Sequence, residues 1–116
     1  ILQTEVAISN NISSFTDIAG LTFNTGQVRS AVINYSVYRI STANPSGNAE
    51  SGVLSITYDN SAASGFKWLI TAYGISGDSG LTFNITDAGQ IQYKSTDISA
   101  TGYSGTMTFR AKALEQ

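Results

Sequence analysis

Apolar side chains fall on every second residue over most of this chain. Leu81, Phe83 and Ile85 are interleaved with Thr82, Asn84 and Thr86; after Asp87-Ala88-Gly89, Ile91 and Tyr93 are interleaved with Gln90, Gln92 and Lys94. Successive side chains of an extended strand point to opposite faces, so this period of two predicts a hairpin with a glycine-containing turn. Tyr103, Met107, Phe109 and Ala111 repeat the pattern near the end, with Thr106, Thr108, Arg110 and Lys112 marking the solvent face. No stretch repeats its apolar residues every three to four positions, and eleven scattered glycines break any long helix. The chain is expected to be all-β.

Upstream, Leu54, Ile56 and Tyr58 alternate with Ser55 and Thr57, and after a loop at 59–65, Phe66, Trp68 and Ile70 share one face of the next strand. The longest strand covers 28–40, with Ala31, Ile33, Tyr35 and Val37 on one side. Its other side mixes Val28, Val32, Tyr38 and Ile40 with Ser30, Asn34 and Ser36. Shorter strands are expected at 5–8 and 18–23. Residues 42–52, which hold the only proline, Pro45, read as the longest loop, and 74–80 as another. About eight strands at this spacing predict an antiparallel β-sandwich or jelly roll. A chain of 116 residues buries one core without disulfides, so 1–116 is expected to form one domain. It opens at Ile1 and is expected to be a piece of a longer polypeptide.

One motif recurs: Gly20-Leu21-Thr22-Phe23-Asn24 is echoed by Gly80-Leu81-Thr82-Phe83-Asn84, and Gly26-Gln27-Val28 by Gly89-Gln90-Ile91. The echo reads either as converged turn chemistry or as an old duplication, and two copies do not make a repeat array.

The reactive inventory is short. The chain has no histidine, which rules out a Ser-His-Asp arrangement, and no cysteine, which rules out thiol chemistry and Cys-based zinc sites. Its eight carboxylates lie at least nine residues apart. Most are expected in turns, bonding their own backbone. A glycosidase pair converging in space is the remaining catalytic alternative. Gly77-Asp78-Ser79-Gly80 and Asp59-Asn60-Ser61 offer hard oxygens, but one carboxylate each falls short of the six to eight ligands calcium takes. No catalytic residue, metal or cofactor is therefore expected. Six basic residues stand against eight acidic ones, with no basic cluster to suit nucleic acid, and no apolar run is long enough to insert in a membrane as a helix. Of the Asn-x-Ser/Thr triplets at Asn11, Asn34 and Asn84, which match the glycosylation sequon, the last two lie in expected strands and read as chance matches.

Binding would fall to aromatics and loops. Trp68 is a candidate sugar platform, although its strand neighbours favour core packing; Tyr73, Tyr103 and Asp78 are better placed for a ligand. The apolar residues Val28, Val32, Tyr38 and Ile40 would leave an exposed patch on the long strand, to be covered by a second sheet or by a subunit interface.

The stretches Leu81-Thr82-Phe83-Asn84-Ile85-Thr86, Gly89-Gln90-Ile91-Gln92-Tyr93, Ser95-Thr96-Asp97-Ile98-Ser99 and Gly105-Thr106-Met107-Thr108-Phe109-Arg110-Ala111-Lys112 together resemble a segment near the end of bacteriophage tail-fibre and related virion proteins. Arg29 to Arg39 resembles the long strand that precedes it there. The resemblance covers about two thirds of the chain and carries no catalytic signature. It implies a tip domain from the C-terminal part of a fibre, homotrimeric, at the virion or cell surface, contacting a glycan or protein of a host or prey cell. It transfers no binding residue. A carbohydrate-binding module of a secreted hydrolase and a purely structural trimerisation cap are the rival readings.

Overall fold

A computed structural model describes residues 3–116. Those residues form eight strands and no helix: β1 (Thr4–Ala7), β2 (Ile12–Thr22), β3 (Val28–Ser41), β4 (Asn44–Tyr58), β5 (Trp68–Gly77), β6 (Leu81–Ile85), β7 (Gln90–Ser95) and β8 (Ser104–Glu115). They make two antiparallel sheets, one of five strands in the order β1-β8-β3-β4-β5 and one of three in the order β2-β7-β6. The sheets face each other across one core. Ala31, Ile33, Tyr35 and Val37 of β3, Leu54 and Ile56 of β4 and Met107 and Phe109 of β8 meet Ile18, Leu21, Ile85, Ile91 and Tyr93 of the smaller sheet. The expected β-sandwich is what the chain builds.

Four boundaries differ from the sequence reading. The strand expected at 18–23 is β2, which already begins at Ile12 and ends at Thr22. Residues 42–52 are not a loop: β4 begins at Asn44 and pairs with β3 almost from the turn. The register passes from Arg39↔Asn48 to Ser41↔Asn44, so two extra residues bulge on β4. Pro45 sits in that bulge, where a missing N–H breaks no ladder. The expected loop at 74–80 is strand as far as Gly77, with one extra residue of β5 between the pairs Val53↔Tyr73 and Ser51↔Ser76. Gly74 takes the left-handed conformation there at φ 62°. Phe66 precedes β5 and is 66% exposed, while Trp68 alone starts the buried face. The two echoed motifs occupy different settings. β2 leads across to the other sheet, whereas β6 and β7 form a hairpin within one sheet.

Four connections cross between the sheets, and three of them, at 8–11, 78–80 and 96–103, gather at one end around a fully buried arginine. Arg39 continues the inward face of β3. Its Nε donates to the Tyr103 hydroxyl at 3.1 Å. Nη1 donates to the Ser79 carbonyl at 2.7 Å and to Thr96 Oγ1 at 3.2 Å. Nη2 donates to Asn10 Oδ1 at 2.9 Å and to the Thr96 carbonyl at 2.5 Å. All five guanidinium donors thus have acceptors, and each crossing supplies at least one. Ser79 also hands the network on: its N–H and hydroxyl both donate to Glu50 Oε1 at 3.0 Å, and Tyr35 donates to Glu50 Oε2 at 2.5 Å. Gly80 is required beside it, because at φ 78° an added Cβ would run into Thr96 Oγ1 and come within 3.0 Å of Arg39 Nη1.

Replacing Arg39 by methionine keeps the length and apolar stem but strands the Ser79 carbonyl and leaves the Thr96 carbonyl only the Asn11 N–H at 3.3 Å. The expected loss is about 1–3 kcal/mol of stability, read as a lowered urea midpoint. Arg39→Lys, with three donors for five acceptors, is expected to recover only part of it. A midpoint unchanged in both variants would contradict this role.

Candidate functional site

The outer face of the five-stranded sheet carries the groups that the fold leaves uncommitted. Asn34 of β3 pairs with Arg110 of β8 on one side and with Val53 of β4 on the other, and Val53 pairs with Tyr73 of β5. The four side chains form one row across four strands, roughly 14 Å at ordinary strand spacing. In the next row Val32 stands beside Lys112. Together Val32, Asn34, Val53, Tyr73, Arg110 and Lys112 line a groove of about 500 Å³. Its floor is aliphatic, an amide stands in the middle, one wall is a half-exposed phenol ring and the other is a pair of cations. The bulge at Gly74 shapes the aromatic wall: beyond it the strand's parity flips, and Ile75 turns toward Tyr35 and Gly52. Tyr73 is the last large side chain of β5 on the groove side.

The residues singled out from sequence scatter. Trp68 is 3% exposed and packs against Tyr58 and Phe23, with ring centroids 5.0 and 6.4 Å away, so it presents no face to a ligand. Tyr103 is spent on the fold, its hydroxyl donating to the Ile8 carbonyl at 2.7 Å while accepting from Arg39. Asp78 lies in the crossing from β5 to β6 and closes a turn onto the Gly80 N–H at 2.9 Å. Tyr73 alone of the four enters the groove. Of the patch on the long strand, Val32 lines the groove and Tyr38, 45% exposed, lies over Gly47. Ile40 is half-buried. Val28 packs against the core, because the ladder between β3 and β8 slips by one residue between Val28 and Ser30.

Other polar clusters are engaged within the fold. A wider cleft at the connector end is lined by Asn10, Asn11, Asn44, Asp97 and Ser99. There Asn10 bridges Arg39 and Asp97, Asn44 bonds Asn48, and Asp97 Oδ1 accepts from Asn10 Nδ2 and the Ser99 N–H. Asp59 Oδ1 likewise accepts from the N–H and hydroxyl of Ser61. These bonds hold the Asp59 and Asp97 carboxyls below the usual range. Asp87 departs from the expected self-bonded turn and reaches the Gly65 and Lys67 N–H groups instead, tying the 59–67 loop to the β6–β7 turn. Among the described residues no group of three acidic side chains is placed to hold a metal.

No family model matches the chain. No curated protein matches it either. Among solved structures it is similar to the Acinetobacter phage vB_ApiP_P1 tailspike protein, with a TM-score of 0.61 and 14% identity over 98% of this chain. The chain spans 22% of that protein's length. At this identity the likeness is one of fold: a two-sheet β-sandwich of the kind found within a phage tailspike.

Arg110 and Lys112 were visible in the sequence as solvent-facing, and Val32 and Asn34 as outward residues of the long strand. What the sequence withheld was the strand order, which alone makes β8, β3, β4 and β5 neighbours.

The buried phenol supplies a test of the interior. Burial first, then the adjoining Glu50 carboxylate, pushes the Tyr35 hydroxyl well above its ordinary range. A group whose proton is held more tightly in the fold contributes stability in full below the unfolded value and loses it as pH rises above that value. Wild-type protein is therefore expected to lose stability more steeply than Tyr35→Phe above about pH 10. Urea midpoints measured from about pH 9 to about pH 11 check this, and parallel curves would refute it.

Proposed function

We propose that the chain is a non-enzymatic appendage domain of a virion or cell-surface fibre that attaches to a glycan on a host or prey cell through the outer-face groove. The observation that carries this reading is the make-up of the groove. An exposed ring, an amide and two cations stand over an aliphatic floor. Binding sites pair an apolar, aromatic lining with a few placed polar groups in this way. Strands of a hydrogen-bonded sheet hold the backbone of those groups at fixed spacing, so the ordering cost on binding falls on the side chains alone. The fold likeness to part of a phage tailspike supports the appendage setting, and with it a longer parent polypeptide in which this domain is one part. The fibre resemblance adds a homotrimer, in which weak single sites gain avidity.

The test is binding of the labelled chain to intact bacterial cells and to a glycan array, with Tyr73→Ala in parallel. The account expects saturable binding and a roughly tenfold loss in the variant at unchanged thermal stability. Folded protein that binds neither cells nor any glycan would leave only a structural role.

A further inference from the structure

We infer that the groove selects saccharides bearing carboxylate groups, such as hexuronic or sialic acid units. The inference rests on the attachment reading above and narrows it to a ligand class.

Charge is the argument. The chain holds six basic residues against eight acidic ones, so its overall field repels anions. Three of the six cations are engaged elsewhere, and a fourth lies outside the groove. Arg39 is buried with five bonds. Lys67 Nζ donates to the carbonyls of Asn60 and Ala62 at 2.8 and 3.1 Å. Lys94 Nζ lies 4.4 Å from the Phe15 ring centroid. Arg29 is exposed, lies toward Asp59 and is not among the residues lining the groove. The remaining two, Arg110 and Lys112, stand two apart on β8, on the same face, and both line the groove. No carboxylate is among the residues lining it. The nearest acidic side chain along the β1 edge is Glu5, which pairs with Thr108, one row away from Arg110.

A groove with two uncommitted cations on one wall, set in an acidic protein, is complementary to an anion. The guanidinium fork takes a carboxylate through two parallel bonds, and the ammonium adds a second positive charge without demanding a geometry. Tyr73 on the opposite wall offers a flat face for the carbon side of a sugar ring. Asn34 between them offers both a donor and an acceptor to ring hydroxyls. A bare inorganic anion would use only the cationic wall; an acidic saccharide uses both walls and the floor.

The experiment measures the folded chain against matched oligosaccharide pairs, one member carrying hexuronic acid and the other the same sugar with its carboxyl reduced to the alcohol. Titration calorimetry at low and moderate salt is the readout. Carboxyl reduction is expected to weaken binding roughly ten- to hundredfold, and Arg110→Gln with Lys112→Gln to do the same for the acidic member only. Glu5→Gln is expected to strengthen it modestly by removing a nearby like charge. The reduced-sugar comparison needs no variant, so it stands even if a substitution perturbs folding. Equal binding of both members would overturn the carboxylate assignment while leaving glycan attachment intact. Sulfated or phosphorylated sugars binding as tightly would overturn it in favour of a general anion site. Binding to cells but to no saccharide would overturn it in favour of a protein receptor. A mass of several chains by light scattering, falling to one on Tyr73→Ala or Val32→Ser, would overturn it by showing a second copy in the groove.

Discussion

The guanidinium of Arg39 is the interaction on which the rest of this fold depends. A sandwich whose chain crosses repeatedly between sheets has a specific weakness at the crossings, where the backbone leaves its ladder and its carbonyls lose strand partners. Here three crossings converge at one end, and one side chain reaches the Ser79 carbonyl of the first, the Thr96 carbonyl of the second and Asn10 of the third. Taking a guanidinium out of water costs several kcal/mol, and only a full complement of acceptors offsets that cost. The geometry meets that condition without a direct carboxylate partner. Glu50 and Asp97 stand one residue further out, behind Ser79 and Asn10 respectively.

This arrangement divides labour within the molecule. The polar knot and the aliphatic core lock the two sheets together from the inside, and at the far end Asp87 and the Phe23, Tyr58 and Trp68 rings close the other set of turns. The outer face of the larger sheet is thereby released from any structural duty. Its central row, from Arg110 through Asn34 and Val53 to Tyr73, combines chemistries that neither the core nor the turns require. Loops were the expected place for recognition in such a domain. Here Asp78 and Asp97 bond the backbone of their own turns and Asn10 is spent on Arg39 and Asp97, and the cations free of such bonds at the groove lie on a strand.

The period-two pattern made the two-sheet architecture and most of the core legible, because burial on one face of a strand is written into alternate residues. The same rule reaches Arg39: the parity of Ala31, Ile33, Tyr35 and Val37, carried two steps further, turns Arg39 and then Ser41 inward. A charged residue at that point reads as solvent-facing until its acceptors are known, and they come from segments 29 to 64 residues away. The first half of β4 was hidden for a different reason. Asn44, Pro45, Ser46 and Gly47 have turn chemistry, and only pairing against the full length of β3 extends them into a strand. The groove needed the strand order, which no local pattern encodes.

The central claim, that Arg39 is held by all five donors inside the protein, is open to direct observation. Nitrogen-15 spectra of the arginine side chains report whether each guanidinium rotates and exchanges with water. For Arg39 the account predicts a distinct Nε–H signal and separately resolved Nη–H signals, all protected from exchange. A single averaged Nη resonance exchanging as fast as that of a solvent-exposed arginine would contradict it.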